Sequence, residues 1–331
     1  MHLVAAPDKF RGSIAAPAAA RAIAAGAEAA GWTARELPLA DGGEGTLDAL
    51  GGPNRTTVVT GPLGTPVQAG WRLEDGRAVV EMARASGLAL AGGAEANDPL
   101  RATTRGTGEL IAAAIEAGAR EILVGVGGSA ATDGGLGAVE ALAELAPFPA
   151  RGVAVRVACD VTTRFSEAAR VYGPQKGASP EQVRHLSERL HELARRYRVE
   201  LGVDVEQLAG AGAAGGLAGG LAALGAELAP GFELVAEAVG LDAALAGADL
   251  VVTGEGRVDE TSFAGKVVGG VASRAAARGL DVLVVAGEVA AQLPAGVTGI
   301  SLLERFGASR AWRDTALCIA EAVTASLAAP R

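Results

Sequence analysis

The sequence is poor in the residues that mark several classes of protein. Among its 331 residues are two cysteines and three histidines, and aromatic residues make up 3%. A disulfide framework needs many cysteines and a zinc centre needs a Cys or His cluster, so neither is expected. No uninterrupted apolar run reaches the roughly 18 residues of a membrane-spanning helix. The sequence also opens without the basic and apolar regions of a secretory signal. We therefore expect a cytoplasmic protein with no membrane partner.

Positive charge is scarce and dispersed. The formal net charge is −9 at pH 7. Proteins that bind nucleic acid cluster Lys and Arg to neutralise phosphates, so a nucleic-acid partner is not expected. The densest basic group, Arg195, Arg196 and Arg198, lies in a polar segment that predicts a solvated helix face.

Lysine is nearly absent. Of the 29 basic residues, 26 are Arg, and the three lysines are Lys9, Lys176 and Lys266. Each lies beside a loop that contains Gly or Pro. A compact ammonium and a planar guanidinium are not equivalent at a tight site, so the three lysines are candidates for ligand contact. The alternative is that they persist by chance.

The pattern of apolar segments indicates the fold. Strand-like and helix-like segments alternate along most of the chain, which predicts a parallel sheet with helical crossovers. Three segments between residues 56 and 82 instead follow one another with only turns between them, which predicts an antiparallel meander. We therefore predict an α/β protein with a flavodoxin/Rossmann-like parallel-sheet domain and a second, mixed α+β domain. The first domain is expected to be discontinuous, from residues 1–50 and 237–331, and the second to span residues 51–236.

Loops that carry glycine or polar side chains follow five of the predicted strands. In open α/β sheets, ligands bind outside the carboxyl ends of the strands. The loop at residues 127–135 is the densest in glycine. Backbone N–H groups of Gly127 and Gly128, with the hydroxyls of Ser129 and Thr132, could form a phosphate cradle. The alternative is an ordinary glycine turn. The five loops are residues 7–13, 41–45, 127–135, 160–163 and 254–259.

The same loops carry carboxylates. Asp133 could hold a metal, accept a hydroxyl proton or cap the next helix, and Asp41 has the same alternatives. Asp8, Asp160 and Asp259 are further loop carboxylates. Acids, lysines and glycine loops together are what phosphoryl transfer requires, since carboxylates bind Mg²⁺ while ammonium and backbone donors bind phosphate.

Motifs for other chemistries are weak or missing. The G-x-x-x-x-G-K-[ST] pattern does not occur, and neither does G-x-S-x-G, which disfavours a serine hydrolase. A G-x-G-x-x-G pattern at Gly210–Gly215 follows a polar segment and not a clear strand. It leaves one rival prediction, an NAD-dependent oxidoreductase of a small hydroxy acid. A non-catalytic sensor of a small acid is a third alternative, but no additional binding segment is visible.

Eight ordered motifs resemble the bacterial type 1 glycerate kinase family, and the resemblance runs from residue 4 to about residue 290. It implies a two-domain fold with a flavodoxin-like part. It also implies ATP-dependent phosphorylation of D-glycerate, usually at the 2-hydroxyl, with Mg²⁺. The motifs are residues 6–13, 39–46, 81–88, 104–110, 127–135, 173–178, 210–216, and 253–259 with 265–267.

On this resemblance, we expect three sets of site residues, with D-glycerate and ATP as partners and a homodimer left open. The catalytic set is Asp133, Asp41 and Lys176. The set that binds substrate or phosphate is Asp8, Lys9, Arg11, Ser13, Gly127, Gly128, Ser129, Thr132, Glu255, Arg257 and Lys266. The metal ligands are Asp160 and Asp259.

The sequence departs from the common family pattern in three places. The segments at residues 145–152 and 160–173 are short, and Ala131–Thr132 replaces a frequent Thr-Asn. Because these positions flank the expected site, substrate contacts there are expected to differ from those of longer members.

Overall fold

The computed structural model describes residues 1–263 and 265–328, and the following elements are those of this part of the chain. The strands are β1 His2–Ala5, β2 Thr33–Glu36, β3 Arg55–Thr60, β4 Pro66–Glu74, β5 Arg77–Glu81, β6 Glu121–Gly125, β7 Ala154–Ala158, β8 Glu227–Ala229, β9 Leu250–Thr253, β10 Arg257–Val258, β11 Asp281–Ala286, β12 Glu288–Val289 and β13 Val297–Ser301. The α-helices are α1 Ala16–Ala29, α2 Thr46–Ala49, α3 Ala83–Ser86, α4 Arg105–Glu116, α5 Leu136–Ala141, α6 Ala168–Tyr172, α7 Pro180–Glu200, α8 Leu217–Ala223, α9 Gly231–Val239, α10 Leu241–Leu245, α11 Val267–Ala276, α12 Leu302–Phe306, α13 Ala308–Arg313 and α14 Thr315–Ala328.

The chain forms two compact units. The first unit comprises Met1–Asp41, Asp48–Gly51 and Phe232–Arg331. The second unit comprises Gly42–Leu47 and Gly52–Gly231. The first unit is therefore built from both ends of the chain, and the second is inserted within it.

The first unit contains a five-stranded sheet in which all strands are parallel, in the order β13-β11-β9-β1-β2. Its three central strands, β1, β9 and β11, are apolar on both faces. Leu3 and Ala5 of β1 pack into one hydrophobic cluster and Val4 packs into another. Burial of both faces explains why β9 and β11 appear in the sequence as continuous apolar runs and not as alternating ones.

Two crossover helices leave this sheet on opposite faces. Ile23 of α1, which follows β1, packs with Leu3 and Val252. Val271 of α11, which follows β9, packs with Val251 on the other face. Because β1 and β9 are adjacent, the connections diverge between them, and their carboxyl ends flank a topological switch point. In open α/β sheets this is where ligands bind.

The second unit contains a six-stranded mixed sheet in the order β3-β4-β5-β6-β7-β8. Strands β3, β4 and β5 are antiparallel neighbours, as the sequence predicts, and β5 to β8 are parallel. Helices α4 and α8 contribute Leu110, Ile111, Leu217 and Leu221 to the core on this sheet. The fold class predicted from the sequence is confirmed, with one parallel and one mixed sheet.

Helix α7 shows the predicted amphipathic pattern, with Leu186, Leu190 and Leu193 buried. Ser179 and Gln182 form a reciprocal capping box at its start, which satisfies N–H groups that lack intrahelical partners. Within residues 1–263 and 265–328, no helix combines the length and the apolar character that crossing a bilayer requires.

The C-terminal region differs from the sequence prediction. One helix is expected over residues 309–328, but α13 and α14 are separate helices with a break at Asp314. The Thr315 hydroxyl donates to the carbonyl oxygen of Ala311 at 2.6 Å, which satisfies the end of α13 at the break. The sequence also does not predict β13, a largely exposed strand that contains Gly299 and forms the edge of the parallel sheet.

Candidate functional site

In the first unit, Asp8 lies at the switch point. Its N–H donates to the carbonyl oxygen of Gly254 at 2.8 Å, which joins the chain leaving β1 to the chain leaving β9. The side chain is buried, with 6% of the residue exposed. Its Oδ1 accepts a hydrogen bond from the Lys9 N–H at 2.6 Å. The sequence predicted Asp8 as a ligand-binding residue, and the fold places it where ligands bind in sheets of this kind.

Charged groups from three loops surround the Asp8 carboxyl. Lys9 Nζ lies 3.6 Å from Asp8 Oδ1 and 3.9 Å from Asp41 Oδ1. Burial raises the pKa of Asp8 to about 7; Lys9 opposes this shift, while Asp41 and Glu255 add to it. The structure thus brings together four residues that the sequence predicted separately. A carboxyl group with a pKa near neutrality can exchange a proton under ordinary conditions.

Glu255 follows β9 and faces the same group of charges. Burial raises its pKa, while a hydrogen bond with the Ser262 side chain and the charge of Lys266 lower it. Its Oε1 is buried and has no hydrogen-bond partner. Lys266 itself is exposed, and its Nζ lies 3.4 Å from Thr261 Oγ1.

Main-chain atoms of the neighbouring loops are in close contact at this edge of the sheet. A Cβ on Gly254 would lie 1.8 Å from the Val285 carbonyl oxygen, so no side chain fits there. A Cβ on Gly256 would lie 3.1 Å from the Arg11 nitrogen. The loop after β9 therefore packs against the loop that carries Asp8 and Arg11. The backbone of Arg11 lies at this contact, and the residue is exposed.

Three predicted ligand contacts in the first unit have other partners. The Ser13 hydroxyl bonds to the Thr315 hydroxyl. Arg257 forms an ion pair with Glu288 at 3.0 Å. Asp259 accepts hydrogen bonds from the N–H and hydroxyl of Thr261, and these hold the pKa of its carboxyl below the usual range. These contacts hold local structure, and the ligand-binding and metal-binding roles predicted for these residues stay predictions.

In the second unit, two glycine loops pack against each other. A Cβ on Gly127 would lie 2.8 Å from the Glu44 nitrogen and from Gly43 Cα. The buried carboxylate of Glu81 accepts hydrogen bonds from the N–H groups of Gly45 and Leu47, at 3.2 and 3.1 Å. Sequence reasoning did not assign Glu81 a role. The available signal was an acid at the end of the apolar strand β5, where burial requires hydrogen-bond donors.

Asp133 anchors the loop after β6. Its carboxylate is buried, with 3% of the residue exposed. It accepts hydrogen bonds from the N–H groups of Thr104, Gly135 and Gly137 at 2.8, 3.1 and 3.3 Å, and from the Thr104 hydroxyl at 2.9 Å. These donors lie at the beginnings of α4 and α5. These bonds favour the capping alternative, and the catalytic role of Asp133 stays a prediction. Thr104 lies in one of the eight motifs, but the sequence predicted no role for it.

Lys176 is also turned inward. Its ammonium donates to the Ala131 carbonyl oxygen at 2.5 Å, and 3% of the residue is exposed. Burial lowers its pKa to about 7, and the charge of Asp133 only partly opposes this shift. Asn97, which the sequence analysis missed, donates to the carbonyl oxygens of Ala130 at 3.1 Å and of Lys176 at 2.9 Å. Lys176 and Asn97 thus both hold the glycine loop.

Two hydroxyls in this loop differ in their partners. Ser129 Oγ lies 3.1 Å from the Ala131 carbonyl oxygen and 3.3 Å from that of Ala214. Thr132 Oγ1 is buried without a hydrogen-bond partner, and the residue is 1% exposed. A buried hydroxyl without a partner is costly, so Thr132 is the residue of this loop whose geometry leaves a donor for a ligand. Gly128 is exposed and adopts a positive φ of 73°.

The segment Gly210–Gly215 does not have the arrangement of a dinucleotide-binding motif. It follows a 3₁₀ turn, Val205–Gln207, and not a strand. A Cβ on Gly215 would lie 2.1 Å from the Ala131 carbonyl oxygen, so this segment packs directly on the loop after β6. Ala214 has φ 53°, a left-handed conformation that is strained for a residue with a Cβ. The G-x-G-x-x-G pattern therefore reflects tight packing.

The described residues do not contain a preformed metal centre. Within residues 1–263 and 265–328, no group of three or more His, Cys, Asp or Glu side chains could hold a metal ion. Asp160, a predicted ligand, accepts a hydrogen bond from the Gly231 N–H at 2.6 Å. Asp160 belongs to the second unit and Asp259 to the first.

Comparison with known proteins identifies relatives over most of the chain. The family model described as the glycerate kinase family matches residues 3–146 and 143–324. The chain is 42% identical over 327 residues to glycerate 2-kinase of Escherichia coli K12, covering 87% of this chain and 86% of the relative. It is 41% identical over 327 residues to glycerate kinase of Bacillus subtilis 168, covering 87% and 85%.

A solved structure extends the similarity to the whole fold. A crystal structure assigned as glycerate kinase 2 from Salmonella typhimurium LT2 superposes with a TM-score of 0.84 at 36% identity. The superposition covers 99% of this chain and 97% of that one. The chain therefore belongs to the glycerate kinase family. Membership of the glycerate kinase family, which the ordered motifs predicted, is confirmed.

Proposed function

We propose that this protein is a glycerate kinase that transfers the γ-phosphoryl group of ATP to the 2-hydroxyl of D-glycerate. The observation that carries this proposal is the 42% identity to a glycerate 2-kinase across 87% of the chain. The order of the eight motifs further supports placement in the bacterial type 1 branch. A kinase of this kind acts on small molecules, and we propose that it works in the cytoplasm.

The loop after β6 in the second unit suits the phosphates of ATP. Gly127 and Gly128 offer backbone N–H groups without a side chain to obstruct approach, and glycine loops bind phosphate in this way. Thr132 contributes a buried hydroxyl that has no partner in the protein. Asp133 and Lys176 act indirectly, because their hydrogen bonds hold the loop backbone that carries these donors.

The loops at the carboxyl ends of the strands in the first unit suit glycerate, whose hydroxyl loses a proton in the reaction. Asp8 provides a buried carboxyl, and Lys9 provides positive charge 3.6 Å from it. The same loop carries the exposed Arg11. An ammonium or guanidinium can hold the carboxylate of glycerate by a charge-assisted hydrogen bond. The Asp41 carboxylate also forms an ion pair with Lys9, at 3.9 Å.

Magnesium would neutralise charge on the phosphates during transfer. The residues present do not fit a metal cage made by the protein alone, because Asp160 and Asp259 each hold local backbone groups and no group of three or more His, Cys, Asp or Glu side chains among the described residues could hold an ion. Mg²⁺ commonly keeps several waters and is bound through substrate phosphates with only one or two carboxylates. We therefore assign no residue of this chain as a magnesium ligand.

The test is a direct assay of the product. The purified protein is incubated with D-glycerate, ATP and Mg²⁺, and phosphorus NMR follows the loss of the γ-phosphate signal. We expect ADP and 2-phosphoglycerate, whose phosphorus couples to one proton, whereas in 3-phosphoglycerate it couples to two. The matched control omits D-glycerate and should show no transfer. ADP formation that does not depend on D-glycerate would contradict the proposed activity, and 3-phosphoglycerate would contradict only its regiochemistry.

A further inference from the structure

The loop carboxylates in this chain differ in how many hydrogen bonds their oxygens accept from the protein. Asp133 accepts hydrogen bonds from three backbone N–H groups and from the Thr104 hydroxyl, so its oxygens are committed to the fold. Asp160 and Asp259 accept hydrogen bonds at Oδ1, from the Gly231 N–H and from Thr261, but neither residue is buried. Asp133, with both oxygens bonded, has little capacity to take a proton from a substrate.

Asp8 is the exception among the buried loop aspartates. Only Oδ1 receives hydrogen bonding or ion pairing from the described residues, in both cases from Lys9. Oδ2 receives no hydrogen bond or ion pair from the described residues and, although the residue is only 6% exposed, it is not among the side-chain oxygens that are fully shielded from solvent. Oδ2 is therefore open to a hydrogen bond from a substrate hydroxyl. The Asp8 N–H bond to Gly254 fixes the backbone of Asp8 at the switch point between β1 and β9.

We infer that Asp8 is the catalytic base of the reaction, the group that takes the proton from the glycerate hydroxyl as phosphoryl transfer proceeds. The inference rests on the proposed function. In the step, the substrate O–H bond breaks and its proton passes to Asp8 Oδ2. The hydroxyl oxygen forms a bond to the γ-phosphorus of ATP. The bond from that phosphorus to the β–γ bridging oxygen breaks, and ADP leaves with the electron pair.

Three neighbouring charges adjust the basicity of Asp8. Lys9, on the same loop, favours the ionised form. Asp41, after β2, and Glu255, after β9, favour the protonated form, as does burial. Lys9, Asp41 and Glu255 thus act on Asp8 from the loops after β1, β2 and β9. The balance keeps the carboxyl basic enough to accept a proton and acidic enough to be ionised when substrate binds, which is the condition for efficient general-base catalysis.

The first experiment compares the wild type with Asp8→Asn in the full chain, by ADP release with D-glycerate between pH 5.5 and 9. In the wild type, we expect kcat/KM to rise with pH and level off above an apparent pKa of about 7. Asp8→Asn should lower kcat by about 10²-fold or more, the scale of general-base catalysis, and should abolish this rise. It should also raise the unfolding temperature at pH 8, because it removes a buried charge. A merely structural aspartate would show the reverse change in stability.

A second pair of variants tests the same point without altering Asp8. Asp41→Asn removes a charge that raises the pKa of Asp8, so the rise in kcat/KM should move to lower pH. Lys9→Met should move it to higher pH. Asp281→Asn is the matched control, since Asp281 is exposed at the amino end of β11, the opposite edge of the sheet. It should leave both kcat and the pH profile unchanged.

The possible failures are distinguishable. If the wild type transfers no phosphate to glycerate, the proposed function is wrong. If the wild type is active but folded Asp8→Asn retains kcat within about threefold, the base is another group. If Asp8→Asn fails to fold, the decision passes to the pH profiles, and profiles unmoved in both Asp41→Asn and Lys9→Met overturn the inference. A loss in Glu255→Gln that exceeds the loss in Asp8→Asn would transfer the role to Glu255.

Discussion

Replacing Lys176 with methionine should change how stability depends on pH. Burial lowers the pKa of Lys176 from its usual 10.5 to about 7 in the folded protein. Between these values the unfolded chain holds a proton that the folded protein has released, so the free energy of unfolding rises with pH. A full proton difference is worth about 1.4 kcal/mol for each pH unit. Lys176 is half titrated at pH 7, so its contribution between pH 7 and 9 is about 2 kcal/mol.

The assay is urea unfolding of wild type and Lys176→Met at several pH values between 7 and 9. The wild type should gain about 2 kcal/mol more than the variant over this interval, because methionine fills the site without a titrating group. Lys266→Met is the matched control, since Lys266 is exposed, and it should keep the wild-type slope. Parallel slopes for wild type and Lys176→Met would refute the reasoning and would show that the buried ammonium stays charged.

The remaining predictions concern the same loop and its ligand. Asp133→Asn should destabilise the second unit by about 1–3 kcal/mol for each N–H left without an acceptor, as measured by urea unfolding; unchanged stability would mean that its hydrogen bonds are dispensable. Ala214→Gly should stabilise the protein by about 0.5–1 kcal/mol, because glycine relieves a left-handed strain of about 1–2 kcal/mol but loses more entropy on folding. A loss of stability there would show that the alanine methyl packs favourably. Mg-ADP at about 100 times its dissociation constant should raise stability by about 2.7 kcal/mol, whereas NAD should give no thermal shift. A shift with NAD alone would favour the oxidoreductase alternative over the proposed kinase.

The residues around Asp8 show what a sequence can reveal about a site. Asp8, Asp41 and Glu255 lie far apart in the chain, but each directly follows a predicted parallel strand. Because the carboxyl ends of parallel strands meet at one edge of a sheet, their convergence could be expected from the pattern alone. The order of strands could not, so the adjacency of β1 and β9, and with it the switch point, needed the structure.

Asp133 shows where sequence reasoning stops. Its place at the end of a glycine loop suits a helix cap, a metal ligand and an acceptor of a hydroxyl proton. Its partner Thr104 lies 29 residues earlier and reaches Asp133 only because α4 and α5 begin side by side. Glu81 presents the same difficulty, since its partners Gly45 and Leu47 are 36 and 34 residues away. The sequence can indicate that an acid is buried, but it does not show which distant groups donate to it.

The discontinuity of the first unit has a consequence for how the chain is made. Strands β1 and β2 leave the ribosome first, but Leu250, which begins the other neighbour of β1, is synthesised 214 residues after Glu36. At 5–20 residues per second this delay is about 10–40 s. During that time one edge of a strongly apolar strand has no partner, and such an edge can pair with other chains. All six strands of the second sheet emerge before β9. The second sheet can therefore form during translation, whereas completion of the first must wait for the last third of the protein.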